Sequence, residues 1–318
     1  MSEIGGYLQL ELPVGKEFYQ PTVRLNSGRN ALEYILIAKK YRKIYLPYYT
    51  CDVLLEPLHK HRITFEFYEV DANLEPVFDY QQIGINDTFL YTNYFGLKNN
   101  FIKTLAPKVK NLIVDNAQAF YSKPLKGIDT FYSPRKFFGI PDGAYLFSNV
   151  LLDESFDQDT SSHQRFEHLL KRIDLSARDA YADFTRNDNS LINQPIRLMS
   201  PLTQRLLESI NYEDVAKIRI ENFNKLHESL CNLNKLKLNR LKKHDVPLVY
   251  PFWSNDIILR DRLLEKKIYT ARYWPNVKEW CKENKLEYAL ANEVIHLPID
   301  QRYGEIEMNI IIKTILNG

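Results

Sequence analysis

The sequence predicts an α/β fold in which a mostly parallel sheet lies between helices, followed by a small C-terminal α+β domain. Short runs rich in Val, Ile, Leu and Tyr alternate with helical or turn segments over residues 1–150. Helical patterns then dominate over residues 161–230. The chain has 318 residues, which suggests two domains at roughly 100–200 residues each. We expect a large domain over residues 1–205 and a linking helix with the small domain over residues 206–318.

The elements of the large domain follow from local patterns. Leu32, Ile35 and Leu36 share one face of a helix expected over residues 31–42, and Ser27-Gly28 comes just before it. Apolar runs of β type, each ended by turn residues, predict six strands along the same domain. These strands are expected at residues 44–46, 65–70, 88–91, 112–114, 129–132 and 144–147.

The C-terminal part begins with a helical pattern over residues 215–230, which we expect to link the two domains. In the basic stretch 235–244, Leu alternates with Lys and Arg. We interpret this stretch as a solvated face of a strand or helix rather than a nucleic-acid or membrane patch. Shorter patterns predict a strand at 247–251 and helices at 255–266 and 304–316.

Composition excludes several classes of protein. The 42 Lys and Arg residues nearly balance the 40 Asp and Glu residues, which argues against nucleic acid or an anionic membrane as the main partner. Cys51, Cys231 and Cys281 are odd in number and far apart, so we expect no disulfide framework and no metal site. The start lacks a signal-peptide pattern, and no apolar run reaches the ~18 residues of a membrane span. We therefore expect a reduced, soluble, cytoplasmic protein.

The first segment that carries chemistry is Ser27-Gly28-Arg29 at the start of the first expected helix. The free N–H groups and the positive dipole end of a helix N-terminus form an anion site. The alternative is an ordinary helix cap. Motifs of other nucleotide and hydrolase sites are absent, including G-x-G-x-x-G, the P-loop, G-x-S-x-G and H-E-x-x-H.

Two further segments place an acid and an amine near sheet ends. The apolar strand 112–114 leads into Asp115, where open α/β sheets bind ligands, and Gln118 lies three residues on. Lys136 sits in an aromatic turn between two strands, with Ser133 and Arg135 close by as possible contacts to an anion. The alternatives are a buried Asp that caps a helix and a surface lysine on a hairpin.

Together the three segments match the needs of one cofactor. Pyridoxal phosphate requires an anion site, an acid opposite its pyridine nitrogen and a lysine that forms a Schiff base. Gly28, Asp115 and Lys136 supply these three features in that order along the chain. Their joint occurrence favours pyridoxal phosphate over the separate structural alternatives.

In this order the motifs resemble those of the DegT/DnrJ family of pyridoxal-phosphate-dependent sugar aminotransferases, within the fold-type-I aminotransferase superfamily. The resemblance implies a seven-stranded type of sheet, an amino acid donor and a keto group of a nucleotide-linked sugar as acceptor. It also implies a homodimer. The matching segments are Ser27-Gly28-Arg29-Asn30-Ala31-Leu32, Leu46-Pro47-Tyr48-Tyr49-Thr50, Tyr94-Phe95-Gly96, Val114-Asp115-Asn116-Ala117-Gln118-Ala119, Ser133 with Lys136, Asp142-Gly143-Ala144, and His296-Leu297-Pro298-Ile299-Asp300.

The resemblance also implies roles for single residues. Lys136 would form the Schiff base and carry the proton, and Asp115 would keep the pyridine nitrogen protonated. Gln118 would lie near the phenolic oxygen of the ring. The N–H groups of Gly28 and Arg29 would bind the phosphate, with Ser133 as a hydroxyl donor.

The chain departs from the family pattern at several positions. Cys51 stands where the family carries an aromatic residue stacked on the ring, so Cys51 is expected at the cofactor. Arg29 replaces a Thr, and residues 196–200 lack the Asn that a partner subunit normally contributes. The loop at Arg272-Tyr273-Trp274-Pro275 is our candidate for contact with substrate, although Trp274 equally suits the core. Other chemistry with the same cofactor, by a dehydratase or lyase, and a non-catalytic ligand-binding relative are the alternatives.

Overall fold

The large sheet has eight strands in a computed structural model that describes residues 4–317. Their order across the sheet is β1-β8-β7-β6-β5-β2-β3-β4. The strands β2, β3, β5, β6 and β7 are parallel, whereas β8, β1 and β4 pair antiparallel with their neighbours. The bounds are β1 Val23–Leu25, β2 Lys43–Pro47, β3 Thr64–Val70, β4 Pro76–Val77, β5 Asp87–Thr92, β6 Leu112–Asp115, β7 Asp129–Tyr132 and β8 Ala144–Phe147.

Helices connect the strands and build most of the C-terminal half. The longest of them, with 19 residues, leads into an antiparallel pair of strands, β9 (Val249–Phe252) and β10 (Ile295–Pro298). The helices are α1 Gly28–Lys39, α2 Leu55–His61, α3 Asn99–Leu105, α4 Glu167–Asp174, α5 Tyr181–Ser190, α6 Pro201–Glu208, α7 Tyr212–Leu230, α8 Leu259–Glu265, α9 Val277–Trp280, α10 Leu286–Glu293 and α11 Glu305–Leu316.

The central strands are buried on both faces. Successive side chains of a strand point to opposite faces, and β6 sends Leu112 and Val114 into one core and Ile113 into the other. A strand with both faces covered has to be apolar throughout, as β6 is up to Asp115. A third core joins α7 to β9, β10 and α11 through buried residues such as Phe223 and Leu297. The C-terminal part thus has its own apolar interior.

The predicted fold class and all six predicted strands are confirmed. The sheet has eight strands rather than seven, because the short strands β1 and β4 pair at its edges. The basic stretch 235–244 forms neither helix nor strand, although most of its charged side chains are exposed as expected. The domain division after residue 205 stays a prediction, and residue 205 lies inside α6. Among residues 4–317 we find no helix long and apolar enough to cross a membrane.

Candidate active site

The N-terminus of α1 lies beside the turn that carries Lys136. A Cβ placed on Gly28 would stand 3.8 Å from the Cβ of Ser133, so the helix start and this turn meet closely. Ser27 caps α1, and its hydroxyl oxygen accepts a hydrogen bond from the Asn30 N–H at 3.2 Å. The first intrahelical bond comes from the Ala31 N–H. The N–H groups of Gly28 and Arg29 therefore precede the helical hydrogen bonds and are suited to an anion.

Two guanidinium groups lie near this helix start. Arg29 is 9% exposed, and its Nε lies 3.4 Å from a carboxylate oxygen of Glu56. Arg135 lies 3.3 Å from Asp188 on α5. Burial lowers the pKa of Arg135, and the positive charge of Arg29 adds to that effect. Two neighbouring buried cations are favoured where an anion binds between or beside them.

Asp115 ends β6, between Thr92 of β5 and Phe131 of β7 in the sheet register. Only 6% of Asp115 is exposed, and its Oδ1 accepts a hydrogen bond from the Ala117 N–H at 2.8 Å. Burial raises the pKa of Asp115 to about 6, and the Ala117 N–H and the charge of Lys136 oppose that rise. Asp115 is therefore a buried acid at the carboxyl end of the sheet, within the electrostatic influence of Lys136.

Gln118 is fixed at one end of its amide and free at the other. Its Oε1 accepts a hydrogen bond from the Phe95 N–H at 3.0 Å. Its Nε2 is buried and has no hydrogen-bond partner in the described part of the chain. An unmade hydrogen bond on a buried donor costs about 1–3 kcal/mol, so Nε2 is a candidate donor to a bound ligand.

Lys136 ends a short 3₁₀ turn, Pro134–Lys136, between β7 and β8. Its side chain is exposed, and its Nζ lies 5.2 Å from the centre of the Tyr273 ring. Burial raises the pKa values of Cys51 and Tyr273, as it does for Asp115, and the positive charge of Lys136 opposes each of these rises. Asp115, Cys51 and Tyr273 thus surround this amine, from the sheet side and from the C-terminal part.

Cys51 is half-buried in the segment that follows β2. Burial raises the pKa of its thiol to about 11, with the charge of Lys136 acting in the opposite direction. The thiol is therefore protonated at neutral pH and acts as a small, weakly polar group. This agrees with a role in contact rather than in nucleophilic chemistry.

Lys136 also lies in the wall of a cavity of about 920 Å³. Its cationic wall residues are Arg135, Lys136, Arg172, Arg219 and Arg302, and Asp300 is the acidic one. Tyr273 and the buried His296 supply an aromatic side. Such a wall favours an anionic ligand. Lys136 is the one predicted catalytic or cofactor-binding residue in this wall. The other predicted residues of these kinds are not among the wall residues, namely Gly28, Arg29, Cys51, Asp115, Gln118 and Ser133.

In the candidate loop at residues 272–275, neighbouring residues lie in different environments, one at the cavity and one in the core. Tyr273 lines the cavity, whereas Trp274 is 6% exposed and packs 5.0 Å from the Tyr49 ring centre. The sequence did not predict a role for Arg219 or Gln301. The one available signal was that Arg219, a charged residue, falls within the apolar pattern of α7. No cluster of three or more His, Cys, Asp or Glu residues suited to a metal occurs over residues 4–317.

Comparison with known proteins yields no matching family model and no matching curated protein sequence. Solved structures do match. A DegT DnrJ EryC1 StrS aminotransferase from Brucella abortus is 16% identical, with a TM-score of 0.61 over 93% of this chain and 85% of that one. DesV of S. venezuelae, in complex with a ketimine intermediate, is 16% identical, with a TM-score of 0.63 over 93% and 84%.

A third similar structure is NtdA from Bacillus subtilis with bound PMP. It is 13% identical, and the TM-score is 0.64 over 93% of this chain and 72% of that chain. At these identities the similarity establishes the fold. The chain therefore has the fold of these aminotransferases, as the motifs predicted.

Proposed function

We propose that the protein is a pyridoxal-phosphate-dependent aminotransferase of the DegT/DnrJ type. It moves an amino group from an amino acid to a keto group, which we assign to a nucleotide-linked sugar. The observation that carries the proposal is that Asp115, a buried acid at the end of β6, lies within the electrostatic influence of the Lys136 amine. The shared fold of the three aminotransferases supports it.

The residues present fit the cofactor. The N–H groups of Gly28 and Arg29 and the hydroxyl of Ser133 suit a phosphate, because the start of α1 and the lysine turn lie together. The unpartnered Nε2 of Gln118 suits the phenolic oxygen of the ring. Asp115 suits the protonated pyridine nitrogen, since its pKa of about 6 leaves it ionised at neutral pH. Cys51 would lie against the ring.

When bound, pyridoxal phosphate supplies an electron sink for the electrons released at the substrate Cα. The chain's own residues do the rest. Asp115 holds the proton of the ring nitrogen through a charged hydrogen bond in a dry environment. Lys136 Nζ would take the proton from the substrate Cα and hold it for return once the bond to the amino nitrogen has rearranged. Its exposed position in the cavity wall leaves it free for both transfers.

The cavity supports an anionic acceptor. A volume of about 920 Å³ is large for a single amino acid and lies at the upper end of the range for ligand sites. Arg172 in its wall can pair with phosphate oxygens, whereas Arg302 is already bound to Asp300 at 2.7 Å. A keto sugar carried on a nucleoside diphosphate has both a negatively charged diphosphate and a keto group. The diphosphate suits the cationic wall, and the keto group suits the amine of Lys136.

We also propose a homodimer that acts in the cytoplasm. Apolar side chains on α4 and α5, at one edge of the cavity wall, are exposed in the single chain, and a second copy would cover them. These side chains are Leu170, Ile173, Tyr181 and Phe184. The three cysteines are unpaired, which suits a reducing compartment.

The visible spectrum of the purified full-length protein tests the proposed function. We expect a visible absorbance band when the protein is mixed with pyridoxal phosphate. Glutamate should remove that band, and a keto acid should restore it. No band at any cofactor concentration would contradict cofactor binding. A stable band that no amino acid removes would instead favour a dehydratase, a lyase or a binding protein.

A further inference from the structure

The carbonyl group next to Lys136 is bound by two side chains from the C-terminal part. Gln301 Nε2 donates a hydrogen bond to the Phe137 carbonyl oxygen at 2.8 Å, and Arg219 Nη2 donates to the same oxygen at 3.3 Å. The Arg219 guanidinium also lies 4.6 Å from the centre of the Phe137 ring. The residue that follows Lys136 is thus fixed at its backbone and at its side chain.

Arg219 joins the lysine turn to the C-terminal sheet. It is 2% exposed, and its Nη1 donates to the carbonyl oxygen of Leu248, next to β9, at 3.0 Å. Within residues 4–317 Arg219 forms no ion pair with a carboxylate. Burial of an unpaired guanidinium is costly, so its retention needs a reason beyond packing. Its hydrogen-bond partners are backbone oxygens of Phe137, beside the lysine, and of Leu248, beside β9. Arg219 therefore links these two parts of the fold directly.

On the lysine side, the rings of Phe137 and Phe138 are buried in the core, and the backbone hydrogen bonds of the turn are local. The Lys136 N–H donates to the Ser133 carbonyl oxygen at 3.2 Å, and the Phe137 N–H donates to the Pro134 carbonyl oxygen at 2.9 Å. Both bonds lie within the turn and leave its orientation relative to the cavity open. Beyond this packing, the donors from Arg219 and Gln301 bind the Phe137 carbonyl oxygen and link it to the C-terminal part, from 82 and 164 residues away in the sequence.

We propose that Arg219 and Gln301 are positioning residues for Lys136, which couple the placement of its amine to the placement of the C-terminal part. The proposal rests on the proposed function only for its catalytic consequence. Displacement of a reacting group by about 1 Å can lower the rate about a hundredfold. Loss of the two hydrogen bonds to the Phe137 carbonyl oxygen could therefore shift the Lys136 amine enough to lower the rate. Ligand contacts at Tyr273 or Arg302 would then reach Lys136 through these bonds.

The test compares Gln301→Leu and Arg219→Lys with a matched control, Asn222→Leu. Asn222 lies on α7 and is 3% exposed. It donates to the carbonyl oxygens of Ile299 and Tyr303, on either side of Gln301, and not to Phe137. The control therefore removes buried hydrogen bonds from the same region and reproduces any general loss of stability.

The first readout needs no activity. The cofactor-free full-length protein is treated with trinitrobenzenesulfonate, and modification of Lys136 is measured by peptide mass spectrometry against Lys313 in the same digest. We expect Lys136 to react at least about threefold faster in Gln301→Leu and Arg219→Lys, because its turn gains freedom, and to stay unchanged in Asn222→Leu. An unchanged rate in both variants, or an equal rise in the control, would overturn the proposal.

The second readout uses the protein loaded with pyridoxal phosphate. We expect kcat to fall about tenfold to a hundredfold in Gln301→Leu, with KM for the amino donor unchanged, since only the amine is misplaced. A rise in KM at constant kcat would contradict positioning. If the protein binds no cofactor, the proposed function fails, while the modification rates still decide the role of Arg219 and Gln301.

Discussion

The two sides of the proposed site are built in different ways. On the sheet side, Asp115 and Ser133 stand at the ends of the neighbouring strands β6 and β7, and Gly28 at the start of α1 lies beside Ser133. On the C-terminal side, Tyr273 and His296 come from a loop and from the two-stranded sheet. Backbone hydrogen bonds of the large sheet hold Asp115. On the C-terminal side the β9–β10 pair holds His296, whereas Tyr273 lies in a loop and packs its ring against His296.

This difference indicates that the sheet side suits cofactor binding and the C-terminal side suits substrate binding. The sheet side has a dry acid and free N–H groups at fixed positions, which is what a permanent cofactor requires. The C-terminal side supplies rings and charged side chains around an open cavity, which suits a ligand that enters and leaves. We therefore expect substitutions on the first side to affect the cofactor, and those on the second to affect substrate.

The largest effect is expected for Lys136→Ala. Loss of the amine should remove the visible band of the bound cofactor and lower turnover at least about a thousandfold, because a covalent and proton-carrying group is gone. The fold should persist, since Lys136 is exposed. Absorbance, activity and thermal unfolding measure the three effects, with Lys103→Ala on α3 as the control. A band that survives would assign the covalent role to another lysine.

Asp115→Asn is expected to have the next largest effect, about a hundredfold loss of turnover with the cofactor still bound, since the ring nitrogen loses its charged partner. Steady-state rates and equilibrium dialysis measure the two quantities. Undiminished turnover would remove Asp115 from the mechanism.

The same substitution has a pH-dependent effect on stability. Burial raises the pKa of Asp115 from 3.8 to about 6, so the folded chain keeps a proton that the unfolded chain releases between these values. Below pH 4 Asp115 is protonated in both states and its burial carries no charge penalty. As pH rises from 4 to 6, the free energy of unfolding falls by a total of about 3 kcal/mol. Cofactor-free Asp115→Asn should therefore exceed the native protein in stability at pH 8 and match it at pH 4. Urea unfolding at both pH values measures this, and a difference independent of pH would contradict it.

The smallest effect is expected for Tyr273→Leu on the C-terminal side. It removes the ring that lies 5.2 Å from Lys136 Nζ. We expect KM for the acceptor to rise about fivefold, because a partly exposed cation–π contact is worth about 1 kcal/mol. The affinity for pyridoxal phosphate should not change. Tyr288→Leu, which removes a similar contact with Lys278, is the control. A large loss of cofactor affinity would break the distinction between the two sides.

The sequence predicted the sheet side better than the C-terminal side, for a physical reason. A buried parallel strand has to be apolar, so the run that ends in Asp115 is visible in a few residues. The turn at Lys136 is visible because strands flank it on both sides. The short strands β1 and β4 have only three and two residues, too few to show a period, and were missed. The roles of the site residues stay predictions.

The contacts of Gln301 had no local signal, and the one signal for Arg219 was its position within the apolar pattern of α7. Each reaches Phe137 across a long stretch of chain, and periodicity reports only which face of an element is buried. Trp274 shows the same limit within one loop. Its neighbour Tyr273 lines the cavity while Trp274 lies in the core, and no pattern in the four residues distinguishes the two.

The shared oxygen of Phe137 has a consequence for protein engineering. Exchange of the C-terminal part between relatives is a natural route to chimeras with altered acceptor preference. In this chain such an exchange would also replace Gln301 and, if the crossover preceded α7, Arg219. A recombined gene would have to retain both side chains, because otherwise the grafted part would change the cavity wall and also lose its hydrogen bonds to the residue after Lys136.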